Sequence, residues 1–390
     1  MMKTKNIIII SCSIVYMDAR VRSYIDGLCK QGYHVDVISL KDDKNERIRS
    51  QENGYINYKV ATRYIGDRLI SYILYYILFL LRSFAVVSLL SFRKKFHAVH
   101  YNNLPNFPVF AALLPRIMGA KIILDNHDLI TSVFASKFQG RRLSSFSFRL
   151  LSFEQKLSMA FAHHVICADH NQKDALVEVG VPAHKITVIL NLANEAWFRP
   201  ERKERTDNEF RLIYHGTVAE RLGLDVAIRA VALAREQIPE IRFHLIGNGD
   251  FLDTCLKLIQ ELDLERVVLP SKCFYPVETL SDIINTMDVG LVPNRRTKGT
   301  DEYMLPVKLL EYVYMRMPVI APRLKIIERY FDEDMLMFFE PGDHEDLARC
   351  ICELYQHKER RCSLVQKSQN FVQEHNWSSQ MEKYLHLIEN

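Results

Sequence analysis

Apolar positions along this chain gather in short runs separated by amphipathic stretches. Four consecutive isoleucines at 7–10 open the pattern, and a run without polar alternation fits a strand buried on both faces. Asp18 is placed to cap a helix expected to run to about residue 31, and Gly32 closes it. Apolar runs at 35–39, 97–101, 121–124, 164–168 and 185–189 read as further strands, most of them separated by helical patterns. The alternation returns at 211–215, 242–247, 267–269, 289–293, 318–321 and 335–339, with helices near 223–236, 250–262, 277–287, 306–316 and 343–357 and a helical tail over about 359–389. Such a rhythm predicts an α/β protein with mostly parallel, doubly wound sheets and ligands at the strand carboxyl ends. The polar stretch 191–208, which contains Pro200, reads as a linker. The expected domains are therefore 1–198 and 199–365, with a C-terminal helix over 366–390 packing back on the first. Two such halves facing each other would form a cleft, the default place for a binding site.

Residues 69–92 interrupt the rhythm with a run long enough to span a bilayer. Arg82 sits at its middle, where a charge costs about 2.5–3.5 kcal/mol to insert, and strands on either side must join one sheet. One reading is a pair of helices covering that sheet. The other is a surface at 68–95 that dips into a membrane face. Arg63, Arg68, Arg82, Arg93, Lys94 and Lys95 flank or interrupt it, and Arg141, Arg142 and Arg149 form a second basic patch. Tyr72, Tyr75 and Tyr76 form a stripe suited to packing or to a membrane interface.

Composition narrows the class. The chain has 390 residues, 48% hydrophobic and 25% charged, with a net charge of +4. These values fit a globular protein with two cores, and no nucleic-acid-binding signature accompanies the mild charge. The eight cysteines contain no C-x-x-C pair and no completing histidine spacing. Neither a metal nor a disulfide framework is expected, which suits a reducing, cytoplasmic compartment. Lys3 and Lys5 before the apolar run at 7–15 mimic a signal peptide, but no small-x-small site follows, and the run reads as a strand.

Candidate chemistry concentrates at 300–318. Pro306 is suited to the first turn of a helix, whose free amides attract a phosphate. Lys308 adds a positive charge in that turn. Glu311, three residues on, lies on nearly the same face, and its carboxylate can accept two ribose hydroxyls. Elsewhere, D-x-D at 332–334 reads as a solvated turn, and 247–249 falls short of a dinucleotide fingerprint. Neither G-x-S-x-G nor H-E-x-x-H is present.

In this setting the chain resembles glycosyltransferase family 4, the group 1 glycosyltransferases of GT-B fold. The resemblance rests on the order and spacing of DARVR at 18–22, VILN at 188–191 with FRP at 198–200, YHGT at 214–217 with ERLG at 220–223, LIGNGD at 245–250, DVGLVP at 288–293, LPVKLLE at 305–311 and PVI at 318–320. It implies two Rossmann-like domains across a cleft and a retaining, metal-independent transfer. The sugar would pass from a UDP-, GDP- or ADP-linked donor to a glycan or lipid-linked acceptor, in polysaccharide or glycolipid assembly at the cytoplasmic membrane face. It implies that Arg221 and Lys308, with the Gly216 turn, bind the donor diphosphate, and that Glu311 binds the ribose. His127 would contact the donor sugar near the reacting centre, and the first-domain loop at Asp18 and Ala19 would approach the phosphates. Three departures stand out. Tyr303 occupies the place of the first Glu of the E-x7-E motif, beside Asp301 and Glu302, of which Glu302 is the candidate for the catalytic carboxylate and Asp301 and Tyr303 for donor-sugar contacts. A Gly-Gly pair is absent near 18–19, and Thr217 stands where an Arg is usual. Other readings of the same architecture are a nucleotide-sugar 2-epimerase and a catalytically degenerate partner subunit.

Overall fold

The computed structural model describes residues 5–64, 66, 69–102, 105–127, 145–202 and 205–390. The chain forms two compact units, Met1–Leu190 with Gln380–Asn390, and Asn191–Ser379.

The first unit is built on β1 (Asn6–Ser11), β2 (His34–Lys41), β3 (Arg49–Glu52), β4 (Tyr55–Thr62), β5 (Phe96–Asn102), β6 (Lys121–Asn126), β7 (His164–Cys167) and β8 (Ile186–Val188). Their spatial order is β3-β4-β2-β1-β5-β6-β7-β8. Pairing is parallel except between β3 and β4, which form an antiparallel edge. The four isoleucines of β1 are completely buried at the sheet centre. Strands β3 and β4 were not legible in the sequence. Their exposure alternates weakly, as expected at a sheet edge with little apolar content.

Asp18 caps the helix Ala19–Lys30 by accepting the Val21 N–H at 3.1 Å, and Gly32 follows with φ +81°. The segment expected as a pair of helices is one continuous helix, Leu69–Arg93, because no Gly or Pro breaks it. It is long and apolar enough to cross a membrane, but its two ends feed β4 and β5 of the same sheet. Tyr72, Tyr75 and Tyr76 pack edge to face, with Tyr75 also 5.5 Å from the Tyr64 ring.

The second unit carries β9 (Phe210–His215), β10 (Ile241–Ile246), β11 (Val268–Ser271), β12 (Val289–Leu291), β13 (Val319–Pro322) and β14 (Met337–Phe339), ordered β11-β10-β9-β12-β13-β14 and parallel throughout. The helices Leu224–Ala234 and His344–Gln356 cover the sheet and share one core with Leu212, Tyr214 and Phe243. The helical tail is two helices, Lys358–Glu374 and Trp377–Glu389. From Gln380 onward it belongs to the first unit: Gln380 accepts the Leu190 N–H at 3.2 Å, and Tyr384 lies 2.7 Å from His100 Nδ1.

One buried ion pair ties the first unit together. Arg20 donates to both oxygens of Asp125, at 2.9 and 3.0 Å, and to the Ile189 carbonyl at 3.0 Å. Burial opposes ionisation of Asp125, but Arg20, with help from His127 and His100, holds it well below the usual carboxylate range. Removing one partner of such a pair strands the other charge without solvent. Asp125→Ala should therefore lower the unfolding free energy by about 3–5 kcal/mol in urea titrations.

Candidate functional site

In a doubly wound sheet the ligand crevice lies where the strand order reverses. In the second unit that point is between β9 and β12, and the backbone there is shaped by glycine. Gly216 leaves β9 with φ +121°. Gly247 leaves β10 with φ +144°, and a Cβ on it would sit 1.8 Å from the Gly216 carbonyl oxygen. Gly223 turns with φ +66° directly against the Pro293 carbonyl. Loops from β9, β10 and β12 thus meet at a separation that only glycine allows.

Arg221 stands on the one-turn helix Glu220–Leu222 between Gly216 and Gly223, and its carbonyl accepts the Arg295 N–H at 3.0 Å. Its Nε is buried and has no hydrogen-bond partner among the described residues. Lys308 lies in the first turn of the helix Val307–Tyr314, half-buried, with Nζ 4.6 Å from the centre of the Tyr214 ring. A Cβ on Gly216 would come within 3.8 Å of that Nζ. Burial, against the attraction of Glu311 and with the repulsion of Arg221, lowers the Lys308 pKa to about 8. Arg221 and Lys308 are thus two cations close enough to oppose each other, an arrangement of the kind that attracts an anion. Pro306 proves to be the N-cap, with ψ 119°, rather than a residue of the first turn. It cannot donate a backbone hydrogen bond in either place.

Glu311 is buried on the same helix, and its Oε2 lies 2.6 Å from His215 Nε2. His215 is the last residue of β9 and was not singled out from the sequence. Asn294, which follows Pro293, was also missed. It is 1% exposed and neither end of its amide has a partner among the described residues, an unusual condition for a buried amide.

The three residues at 301–303 divide. The Asp301 carboxylate accepts the Lys325 N–H at 3.1 Å, with the Arg296 and Lys325 side chains each at 3.8 Å. It thereby satisfies the start of the helix Lys325–Glu328. Glu302 lies 3.5 Å from Lys325 Nζ and is only half-buried. Tyr303 ends the helix Lys298–Glu302. Asp332 accepts the N–H groups of Asp334 and Met335, forming the expected turn.

In the first unit, His127 follows β6, with Nε2 3.2 Å from Asp125 Oδ2. Its carbonyl accepts from Gln172 Nε2 at 3.0 Å. Asp128 lies outside the described residues. Asp18 and Ala19 form the cap and first residue of the helix after β1, on the element that delivers Arg20 to Asp125.

Comparison with known proteins now decides the family. The model described as Glycosyltransferase Family 4 matches residues 18–196, and the model described as Glycosyl transferases group 1 matches residues 209–357. The chain belongs to the family 4, group 1 glycosyltransferases. It is similar to the amylovoran biosynthesis glycosyltransferase AmsK of Erwinia amylovora, with 26% identity over 46% of this chain and 44% of that protein. The match therefore spans less than half the length of that relative. Among solved structures it resembles sucrose-phosphate synthase from Thermosynechococcus elongatus (TM-score 0.76, 17% identity, 98% of each chain). It also resembles HepE of Anabaena solved with UDP and glucose (TM-score 0.72, 14% identity, 97% of this chain and 98% of that one). These likenesses give the GT-B fold. Both predicted halves of the family 4 architecture are thus present, each with its own parallel sheet.

The lowered Lys308 pKa carries a pH signature. The free ammonium is charged below about 8, and a bound anion raises that value. Binding of inorganic pyrophosphate should hold steady below about pH 8 and weaken as pH rises above it. In calorimetric titrations Lys308→Arg, which stays charged, serves as the reference for the ligand's own ionisation. A wild-type curve that tracks this variant between pH 7 and 9 would remove Lys308 from the anion site.

Proposed function

We propose that this protein is a retaining, metal-independent glycosyltransferase. It takes a sugar from a UDP-, GDP- or ADP-linked donor and passes it to a glycan or lipid-linked acceptor in polysaccharide or glycolipid assembly. The observation that carries the reading is the uncompensated pair Arg221 and Lys308 at the Gly216 turn, followed on the same helix by the Glu311 carboxylate. A nucleotide sugar offers a diphosphate and a ribose in that sequence. Arg221 and Lys308 neutralise the departing nucleoside diphosphate, which is the main electrostatic help such a reaction requires. Glu311 accepts from the ribose hydroxyls. In the retaining scheme the acceptor oxygen attacks the anomeric carbon on the face from which the diphosphate leaves. The bond from the anomeric carbon to the diphosphate oxygen breaks as the bond to the acceptor oxygen forms, and the departing diphosphate takes both the electron pair and the acceptor hydroxyl's proton. His127, oriented by Asp125, is assigned to the reacting sugar. Glu302 is assigned as the catalytic carboxylate and Tyr303 to the sugar's remaining hydroxyls, while the Asp301 carboxylate also holds the turn at 325. HepE, solved with UDP and glucose, supports a nucleotide sugar as donor, and the amylovoran enzyme supports a polysaccharide setting.

The lipid part of the proposal rests on the first unit. On the helix Leu69–Arg93, Ile70, Ile73, Leu74, Ile77, Leu78, Leu81 and Phe92 are exposed. This helix packs against 107–117, and 107–112 packs against the helix Ser145–Phe161. There Ile117, Leu150, Phe153 and Leu157 extend the apolar surface beyond the stretch recognised in the sequence. Arg63, Arg93, Lys95 and Arg149 are exposed beside it, whereas Lys94 pairs with Asp36. Arg68, Arg141 and Arg142 lie outside the described residues. An apolar face with a cationic rim suits a membrane surface bearing anionic lipid.

Two measurements test these readings. UDP-, GDP- and ADP-sugars should differ in thermal stabilisation, one of them contributing about 2.7 kcal/mol at a hundred times its dissociation constant. Glu311→Ala should remove most of that shift, and an undiminished shift would displace the ribose from Glu311. Epimer formation without acceptor would point to the epimerase, and binding without turnover to a partner subunit. For the lipid surface, cosedimentation with vesicles containing anionic lipid at low salt should retain the protein and release it as salt rises. Failure to cosediment at low salt would end the lipid proposal.

A further inference from the structure

We propose that His215 is a positioning residue for nucleoside recognition: it clamps Glu311 in one orientation and leaves a single carboxylate oxygen for the ribose. The inference rests on the assignment of Glu311 above and gives a role to a residue that the sequence reading left without one. His215 Nε2 lies 2.6 Å from Glu311 Oε2, and Nδ1 lies 2.9 Å from the Tyr312 hydroxyl. An ionised carboxylate only accepts, so Nε2 carries a proton and donates to Glu311, while Nδ1 shares a hydrogen bond with the Tyr312 hydroxyl, which also lies 3.4 Å from the Ile213 carbonyl oxygen. The same hydroxyl accepts the His215 backbone N–H at 3.1 Å. The imidazole also meets the Tyr312 ring edge to face, with centroids 5.0 Å apart. Both ring nitrogens are thus fixed by adjacent residues of one helix, and the ring has no freedom to turn away from Glu311.

The consequence falls on the carboxylate. A glutamate side chain has rotamer freedom to lose when it binds. His215 removes that freedom before any ligand arrives, which is the usual source of gain from preorganisation. With Oε2 engaged, Oε1 has no partner among the described residues and is the oxygen left for a hydroxyl. The pairing is tertiary. His215 ends β9 and Glu311 sits in a helix beyond β12, brought together because β9 and β12 are neighbours in the sheet.

The test compares ribose with its hydroxyl-free form on the full chain. Dissociation constants are measured by calorimetry for UDP, GDP and ADP, then for the 2′,3′-dideoxy counterpart of the tightest binder. The wild type should prefer the ribose form, and Glu311→Ala should abolish the preference. If Glu311→Ala keeps it, the ribose assignment itself fails, whatever His215 does. Given that control, His215→Phe should weaken the ribose nucleotide by roughly 3- to 10-fold and leave the dideoxy nucleotide unchanged. His215→Gln, whose amide nitrogen reaches the place of Nε2, should restore most of the preference. Tyr312→Phe, which keeps the packing and removes the hydroxyl, should reduce the preference in the same direction, and it decides the matter if His215→Phe does not fold. Equal weakening of both nucleotides in these variants, or no change in either, would overturn the proposal.

Discussion

A parallel strand cannot be joined to its neighbour by a hairpin, and everything at this candidate site follows from that constraint. Each connection must cross a face of the sheet and return, so all strand carboxyl ends emerge along one edge. In the second unit the loops after β9, β10 and β12 are forced into one small volume. Gly216, Gly223 and Gly247 are the local answer to that crowding, since a side chain at Gly223 or Gly247 would occupy neighbouring backbone and Gly216 has φ +121°. The approach of two cations is a by-product of the same convergence. Arg221 arrives on the loop from β9 and Lys308 on the helix after β12, although 86 positions of other structure lie between them in the chain.

The electrostatics of the two units differ in kind. In the first, the buried charges are balanced: Arg20 meets Asp125 with two hydrogen bonds and also satisfies a carbonyl. The pair connects the helix after β1 to the end of β6, and so fixes the carboxylate beside His127. In the second, Lys308 is drawn by Glu311 but opposed by Arg221, and burial pushes it toward its neutral form. A balanced network stabilises a frame. Neighbouring cations of the second unit instead repel each other, and that repulsion adds to the effect of burial.

Asp301 shows how a motif position acquires a different duty. Its place beside Tyr303 made it a candidate for the donor sugar, yet its carboxylate serves the backbone at Lys325. His215 shows the reverse. It lies inside a recognised run of residues but had no assigned chemistry, and only its distance to Glu311 gives it one. In both cases the deciding partner is remote in sequence, so local pattern had no means of revealing it.

The sequence by itself determined the two parallel sheets, because uninterrupted apolar runs separated by amphipathic helices have few other ways to bury their surface. It also determined Asp18 as a cap, and placed Lys308 and Glu311 near one face of a helix, since these are relations within a few residues of chain. It did not reveal the edge strand β3 or its neighbour β4, whose burial patterns alternate only weakly. Nor did it join the apolar helix to the exposed side chains at 113–118 and 150–157, which are contiguous only through packing. Tertiary structure alone decided which carboxylates are spent and which are left for a ligand. Hydrogen-bond partnership and burial are properties of neighbours in space, and here those neighbours come from different strands of the sheet.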